Sequence, residues 1–383
     1  MTPVNVSPVA VSPIDVSRRA DRLRARFAGD DRSALDAMII SDLTNLRWLT
    51  GFSGSNGIGV VLPDEIVIVT DGRYGEQAAR QMEVAACVGR VEVGRTGAEL
   101  IALTARLVEP FGRVGFESAH TSHQRFVELG QVIDAELVAT VGLVEAGRRT
   151  KDRAEIERIE RACAIADRAL AEIAPMIGPG FTEVQIRNAL EQRMRELGAA
   201  GPSYETIVAT GPVNAPLPHH RPTDTVIEVG HTLIIDVGAL VDGYHSDMTR
   251  SFIIGRPTAG QQRAYDVVLA AQVAGVAAVR PGLDTRELDA VCRGIIAEAG
   301  LGGWFTHGTG HGVGLLIHED PFVNASAGWV LQEGDVVTVE PGVYRGGFGG
   351  IRVEDLVEVT SSGGRTLTRS PKDTPCLPSA PTT

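Results

Sequence analysis

Two segments of this 383-residue chain share one layout and lie about 100 residues apart. Residues 179–201 and 281–303 each consist of Pro-Gly, an amphipathic helix with a capping residue at its start, and a glycine-rich exit. Each is followed by strands joined by a glycine-containing turn, at 232–255 and 336–360, which we interpret as β-hairpins. Chance similarity between amphipathic helices would not extend to the strands, so the pattern predicts a fold built from two related halves.

Each predicted hairpin carries two acidic residues in an apolar setting. Asp236 and Asp247 lie in the first hairpin, and Glu340 and Glu354 lie in the second. Any one of them alone is more often a surface carboxylate. Four carboxylates converging from related halves, however, would repel one another and would be costly to bury among Val and Ile. A pair of divalent cations would remove that conflict, and oxygen-rich ligands favour Mn, Co, Fe or Zn.

A glycine-rich segment between the hairpins supplies histidines. His307 and His311 stand four residues apart with glycines around them, and His318 follows. The spacing resembles the helical HExxH zinc motif, but the glycines disfavour a helix and no Glu follows His307. Such a glycine-rich strand or loop lets the backbone approach a metal or substrate closely. A further histidine pair, His219–His220, precedes the first hairpin.

Other catalytic patterns are missing from the sequence. There is no GxSxG nucleophile elbow, no GxxxxGK[ST] phosphate loop and no GxGxxG that opens a helix after a strand near the start. The sequence therefore gives no support to a serine hydrolase, a P-loop nucleotide hydrolase or a dinucleotide-binding enzyme.

The region before residue 150 has the pattern of a small α/β domain. Apolar runs at 37–41, 58–62 and 66–70 predict short buried strands separated by glycine turns. Amphipathic stretches at 17–27 and 74–82 predict helices between and beside them.

A strongly periodic helix beginning after Lys151 marks the start of a second domain. We therefore divide the chain into an N-terminal α/β domain at 17–150 and a second domain at 151–360. The proline-punctuated residues 1–16 and the Ser, Thr, Pro and Gly-rich residues 361–383 are predicted to be flexible tails.

Composition narrows the range of partners. The chain has 36 Lys and Arg against 48 Asp and Glu, a net charge of −12, which argues against a nucleic-acid partner because phosphates would be repelled. No apolar run reaches the roughly 20 residues of a membrane span. The prolines near the start and the lack of a preceding basic residue make a poor signal peptide. We therefore expect no membrane partner and a cytoplasmic location.

In order along the chain, the four acidic residues and His311 resemble the dinuclear metal site of the pita-bread metallopeptidases. Within that family the chain looks like the Xaa-Pro branch. The resemblance implies an α+β fold, with a C-terminal pseudo-symmetric pita-bread domain preceded by a smaller α/β domain of the creatinase/prolidase N-terminal type. The motifs that carry it are SDLTNLRWLTGFSGSNG (41–57), TDGRY (70–74), PHHRPT (218–223), GYHSDMTR (243–250), GTGHGVGLLIHE (308–319) and VTVEPGVY (337–344).

The resemblance implies specific roles for the site residues. Asp236, Asp247 and Glu354 would bind or bridge two metals, and His311 and Glu340 would hold one of them. Glu340 would also accept the proton of the attacking water and pass it to the leaving nitrogen. The remaining matches are His219 and His318 as hydrogen-bond donors to the substrate, Arg352 near the substrate end, and His307 and Thr249 in supporting places beside the ligands.

The resemblance also implies an activity. It points to a metallopeptidase that hydrolyses the bond before proline in short peptides, first of all an Xaa-Pro dipeptidase, with an Xaa-Pro aminopeptidase acting on longer peptides as the alternative. Two divalent ions per subunit are expected, Mn²⁺ first, with Co²⁺ or Zn²⁺ as alternatives, in a homodimer. A creatinase-like chemistry is disfavoured because creatinase lacks the metal ligands. A non-catalytic peptidase-like binding module is disfavoured because such modules typically lose them.

Overall fold

The computed structural model describes residues 11–27 and 34–377. The described chain divides into two compact units, Ser12–Arg148 and a second unit that begins at Arg149. Most of the predicted N-terminal tail, residues 1–10, and the end of the predicted C-terminal tail, residues 378–383, lie outside the described residues.

The first unit alternates helices with strands. Its elements in chain order are α1 (Arg19–Phe27), β1 (Ala37–Ile40), α2 (Leu43–Thr50), β2 (Ile58–Val61), β3 (Ile66–Asp71), α3 (Gly75–Val84), β4 (Gly89–Gly94), α4 (Gly97–Val108), β5 (Arg113–Glu117), α5 (His123–Gly130), β6 (Glu136–Thr140) and α6 (Glu145–Arg148).

These strands form one six-stranded sheet in the order β4-β3-β2-β1-β5-β6. The central strands β1, β2 and β3 pair antiparallel, and the outer strands β4, β5 and β6 join in parallel. The predicted strands at 37–41, 58–62 and 66–70 and the predicted helices at 17–27 and 74–82 are confirmed to within two residues at each end. Their apolar side chains are buried because each central strand is covered on both faces.

The second unit carries the remaining elements. These are α7 (Arg153–Ile173), α8 (Glu183–Glu196), β7 (Gly201–Pro202), β8 (Ile207–Thr210), α9 (Gly211–Asn214), β9 (Thr232–Asp236), β10 (Ala239–Val241), β11 (Tyr244–His245), β12 (Thr249–Ile254), α10 (Ala259–Ala278), α11 (Thr285–Glu298), β13 (Gly310–Gly312), β14 (Glu319–Val323), β15 (Val336–Val339), β16 (Gly342–Arg345), β17 (Gly349–Arg352), β18 (Asp355–Thr360), β19 (Gly363–Thr366) and β20 (Cys376–Leu377), with short 3₁₀ turns at Ala174–Met176 and Gly302–Trp304.

The helices of the second unit begin where their capping residues predict. Thr182 accepts a hydrogen bond from the backbone of Gln185, whose side chain bonds back to Thr182, so the predicted capping box of α8 is confirmed. In the other half, Asp284 caps α11 by accepting from the backbone of Arg286. The two helices of the repeat therefore start in corresponding ways.

The two predicted hairpins are more elaborate than single hairpins. In the first half β9 pairs antiparallel with β12, and the residues between them form a separate inner pair, β10 with β11. In the second half β15 pairs with β18 around the inner pair of β16 and β17. The segments between the outer strands are long enough to pair with themselves, which the local alternation pattern could not show. Both halves share this arrangement, as the repeat predicts.

The predicted C-terminal tail is ordered over its described part. Strand β19 pairs with β18, and β20 pairs in parallel with β12. Leu367 and Leu377 are buried, and Lys372 forms an ion pair with Asp355. The expectation of a flexible tail from 361 onward is thus wrong up to residue 377, because scattered apolar residues among Ser and Pro are enough to bind this segment to the sheets. At the other end Val16 is also buried.

Across the described residues, none of the helices combines the length and the hydrophobicity that crossing a membrane would require.

Candidate metal centre

The four acidic residues stand at corresponding strand ends in the two halves. Asp236 ends β9 and Asp247 lies two residues before β12, while Glu340 follows β15 and Glu354 precedes β18. The halves are joined here, because the Glu354 backbone N–H donates to the carbonyl of Thr249 over 3.1 Å. The strand pairing therefore brings all four carboxylates to one place.

His311 lies on β13 against these carboxylates. Ligand atoms of Asp247, His311 and Glu354 all lie within 4.8 Å of one another, and all three residues are buried. The His311 Nε2 atom is 3.5 Å from Asp247 Oδ2 and 3.4 Å from Glu340 Oε1. Its Nδ1 atom is 3.0 Å from the Gly312 carbonyl, to which it donates, so the Nε2 lone pair faces the carboxylates.

Burial and mutual repulsion shift the ionisation of these groups. Burial, with the charges of Asp236 and Glu340, raises the pKa of Asp247 well above its usual range, and burial raises that of Glu354 in the same way beside Asp247. Burial raises the pKa of Glu340 to about 7. Burial and nearby His318 lower the pKa of His311 to about 3, so its ring is neutral. The raised pKa values mean that these carboxyl groups favour the protonated form in the metal-free protein, because the chain supplies too little positive charge to compensate four carboxylates.

The donor set fits a divalent cation. The Oε1 atom of Glu354 is buried and has no hydrogen-bond partner among the described residues, although its Oε2 atom accepts from Thr249 over 2.7 Å. An orphaned carboxylate oxygen beside an inward-facing imidazole lone pair is costly without a positive partner. Carboxylate oxygens with one imidazole nitrogen suit Mn, Co, Fe or Zn.

Asp236 is held by two side chains. Arg352, on β17, donates from Nη2 to Asp236 Oδ2 over 2.6 Å, and the Tyr204 hydroxyl contacts both Asp236 and Asp247, the latter at 2.5 Å. Burial and these two carboxylates raise the pKa of Tyr204 well above its usual range. Sequence analysis missed Tyr204, because a single tyrosine before a short strand belongs to no recognisable local pattern.

His307 and Thr249 lie beside the ligands. The Nδ1 atom of His307 is 2.7 Å from the Gly308 carbonyl, and its Nε2 atom is 2.9 Å from the Tyr344 hydroxyl. Both ring nitrogens are engaged, and neither points toward the carboxylates. Thr249 accepts from Arg352 Nε over 2.9 Å while donating to Glu354. Thr249 therefore bonds a candidate ligand directly, whereas the hydrogen bonds of His307 reach Asp236 only through Tyr344 and Arg352.

The carboxylates open into a cavity of about 400 Å³. His219 and His318 line it, together with apolar side chains of Ile317 and Phe322. The His318 ring packs edge-on against His311, with centroids 4.3 Å apart. Burial and the neighbouring His219 lower the pKa of His318, so its ring stays neutral near pH 7. Every residue predicted from sequence for this site lines the cavity except Thr249, which bonds to Glu354 and Arg352.

Comparisons with known proteins agree with this architecture. Residues 157–361 match the metallopeptidase family M24, and residues 19–150 match the creatinase/prolidase N-terminal domain. An uncharacterized peptidase of Bacillus subtilis, YqhT, is 40% identical over 358 residues, which cover 93% of this chain and 99% of the relative.

Two solved structures superpose along nearly the whole chain. An Xaa-Pro dipeptidase from Bacillus anthracis has a TM-score of 0.89 at 36% identity and covers 95% of this chain and 100% of its own. An X-Pro aminopeptidase from Thermotoga maritima has a TM-score of 0.84 at 32% identity and covers 94% of this chain and 99% of its own. The predicted fold class, a pita-bread domain preceded by a creatinase/prolidase-type α/β domain, is confirmed. The chain belongs to metallopeptidase family M24.

Proposed function

We propose that this protein is a dinuclear metal-dependent Xaa-Pro peptidase that hydrolyses the peptide bond before proline in short peptides, acting first of all as an Xaa-Pro dipeptidase. The observation that carries the proposal is the convergence of four carboxylates and the His311 lone pair on one buried cluster beside a cavity. Similarity to the Bacillus anthracis Xaa-Pro dipeptidase supports the substrate class. Similarity to the Thermotoga maritima X-Pro aminopeptidase keeps action on longer peptides as the second candidate.

Two divalent cations would be held by five residues: Asp236, Asp247, His311, Glu340 and Glu354. When bound, such a pair lowers the pKa of a water molecule and polarises the scissile carbonyl. We expect Mn²⁺, with Co²⁺ or Zn²⁺ as alternatives, because all three accept this ligand set.

Glu340 is the proposed proton carrier. Burial raises the pKa of its carboxyl group to about 7 in the metal-free protein, so burial favours its accepting a proton. It would accept the proton of the attacking water and return it to the proline nitrogen as the C–N bond breaks. Thr338 Oγ1, 3.1 Å from Glu340 Oε1, restrains the carboxyl group in that position.

His219 and His318 are the proposed donors to the substrate. The lowered pKa of His318 keeps its ring neutral, and a neutral imidazole still has one N–H to donate to the carbonyl oxygen. Such a donor is most valuable when negative charge develops on that oxygen in the tetrahedral intermediate. Arg352 would orient the site by holding Asp236.

The resemblance to the Xaa-Pro branch further supports a homodimer, and the composition of the chain supports a cytoplasmic location. Both are proposals that size determination in solution and cell fractionation would check.

The experiment that tests the activity compares three peptides with manganese-loaded protein: Ala-Pro, Ala-Pro-Ala and, as a control, Ala-Ala. Cleavage of Ala-Pro with little cleavage of the other two supports the dipeptidase. Efficient cleavage of Ala-Pro-Ala shifts the assignment to the aminopeptidase. Protein that holds two metal ions but leaves both proline peptides intact would contradict the proposal.

A further inference from the structure

Glu183, the first residue of α8, is a fully buried carboxylate outside the metal centre, with 0% of its surface exposed. Both of its oxygens are used. Oε1 accepts hydrogen bonds from the Thr210 backbone N–H (2.8 Å) and from Asn214 Nδ2 (3.1 Å). Oε2 lies 2.8 Å from His220 Nε2 and accepts from the backbone N–H and hydroxyl of Thr223 (2.9 and 2.8 Å).

All five donors belong to one stretch of chain, residues 210–223, which we call the His219 segment. This segment places both His219 and His220 at the cavity, and the His220 Nε2 atom also reaches the Glu183 carboxylate. Arg352 Nη1 donates to the Pro218 carbonyl of the same segment over 3.3 Å. The segment is thus held between Arg352, which faces the metal centre, and Glu183, which does not.

A helix-capping role does not account for Glu183. Thr182 and Gln185 already form the capping box of α8, so the first free amides of that helix are served without it. The Glu183 oxygens bond to the His219 segment instead. A buried carboxylate is costly unless each oxygen is hydrogen-bonded. Both Glu183 oxygens are hydrogen-bonded to the His219 segment, which indicates that this carboxylate holds the segment in place.

We propose that Glu183 is a positioning residue for the peptidase reaction, which fixes the His219 segment so that the His219 side chain meets the substrate in the cavity. The proposal rests on the proposed function, because it assigns the effect of Glu183 to the step in which His219 takes part. The metal ligands are not involved, since Glu183 contacts none of them.

A double-mutant cycle on kcat/KM for Ala-Pro tests the proposal. Glu183→Gln keeps the size of the side chain and removes one acceptor oxygen. We expect a loss of about 10- to 100-fold, mainly in kcat, because small displacements of a reacting group have large effects on rate. In a His219→Ala background the same substitution should cost less than about threefold, because the group being positioned is gone. Bound manganese should be unchanged throughout.

Asp167→Asn serves as the matched control. Asp167, on α7, likewise holds a distant segment, since it accepts from the backbone N–H groups of Arg369 and Ser370 and from the Ser370 hydroxyl. The Asp167→Asn substitution should change kcat/KM for Ala-Pro by less than about twofold. If Glu183→Gln does not fold, Asn214→Ala removes one of the five donors and should give a several-fold loss that also disappears with His219→Ala.

Hydrogen exchange supplies a readout that does not depend on activity. The Thr210 and Thr223 amides donate to different oxygens of Glu183, and glutamine keeps only one of these acceptors. At least one of the two amides should therefore exchange faster in Glu183→Gln, and neither should in Asp167→Asn. Equal losses in the two His219 backgrounds, no loss in the parent, or unchanged exchange would each overturn the proposal. Failure of the proposed function would give a different result, because the parent protein itself would then cleave no Xaa-Pro peptide. Hydrogen exchange would still show whether Glu183 holds the His219 segment.

Discussion

Arg352 donates a hydrogen bond from Nη2 to the Oδ2 atom of Asp236 over 2.6 Å, and both side chains lie at the buried metal centre. Within the described part of the chain, no Lys or Arg forms an ion pair with Asp247, Glu340 or Glu354. The described chain therefore supplies a Lys or Arg ion-pair partner to only one carboxylate of the four, Asp236. The ion pair between Arg352 and Asp236 offsets part of the repulsion among the four carboxylates. This is why the chain can fold around so acidic a site.

Arg352→Lys should lower kcat/KM for Ala-Pro by about 10- to 100-fold, because lysine keeps the charge but cannot reproduce the planar fork. Arg352 also bonds Thr249 and the Tyr344 hydroxyl (2.9 and 2.8 Å), and both contacts would be lost or weakened. Arg345→Lys, an exposed arginine on the paired strand β16, is the control. Unchanged steady-state kinetics in Arg352→Lys would contradict the role given to the guanidinium.

Glu354→Gln should have opposite effects on stability and activity. Removing one of the mutually repelling carboxylates should raise the melting temperature of the metal-free protein by about 2–4 °C. The same change should lower the activity of the manganese-loaded protein at least about 100-fold, because a ligand is lost. Glu358→Gln, on the following strand β18 and paired with Arg365, should neither raise the melting temperature nor lower the activity. Calorimetry of the wild type and both variants in the presence of a chelator measures these melting temperatures. A lower melting temperature for Glu354→Gln than for the wild type would count against the electrostatic account.

The stability of the metal-free protein should depend on Glu340 and pH. Because the folded-state pKa of this group is raised from 4.5 to about 7, its contribution to stability is present below about pH 4.5 and is lost as the pH rises toward 7 and beyond. Relative to Glu340→Gln, the wild type should thus lose on the order of 3 kcal/mol of unfolding free energy across that range.

Urea unfolding of both stripped proteins at several pH values measures this difference, and saturating manganese should abolish it. A difference that stays constant with pH, or that grows in favour of the wild type, would show that Glu340 is not held in a repelling environment.

Gly314→Ala should destabilise the protein by about 1–3 kcal/mol. A Cβ atom at Gly314 would clash with the carboxylate of Glu319 and lie 2.9 Å from Lys151 Cε, so it would intrude on the buried Lys151–Glu319 ion pair (2.7 Å) next to His318. Gly346→Ala, where a Cβ atom meets nothing within 4 Å, is the control. Equal unfolding free energies for the two variants would contradict the close packing described at Gly314.

The metal-centre residues could be predicted from sequence because their signal is local and repeated. An acid inside an apolar strand is unusual by itself, and its counterpart in the second half made Asp236 and Glu340 recognisable as a set. The strands beyond residue 360 could not be predicted, since pairing partners such as Ile253 and Cys376 are far apart in the chain. The strands of the inner pairs are neighbours in the chain, but they are too short for an alternation of apolar and polar residues to show.

Tyr204 and Glu183 were missed for the same reason. Tyr204 is 32 residues from Asp236 and Glu183 is 40 residues from Thr223, so neither leaves a pattern in its own neighbourhood. What each does depends on which distant groups the fold brings to it, and a single tyrosine or a glutamate at the start of a helix has many ordinary explanations.

The most direct test of the central claim is a manganese titration of chelator-stripped protein, with bound metal per chain and Ala-Pro hydrolysis measured on the same samples. We predict that the stripped protein is inactive and that activity rises to a plateau as two ions bind to each chain. Hydrolysis by stripped protein, or two bound ions without hydrolysis, would contradict the account.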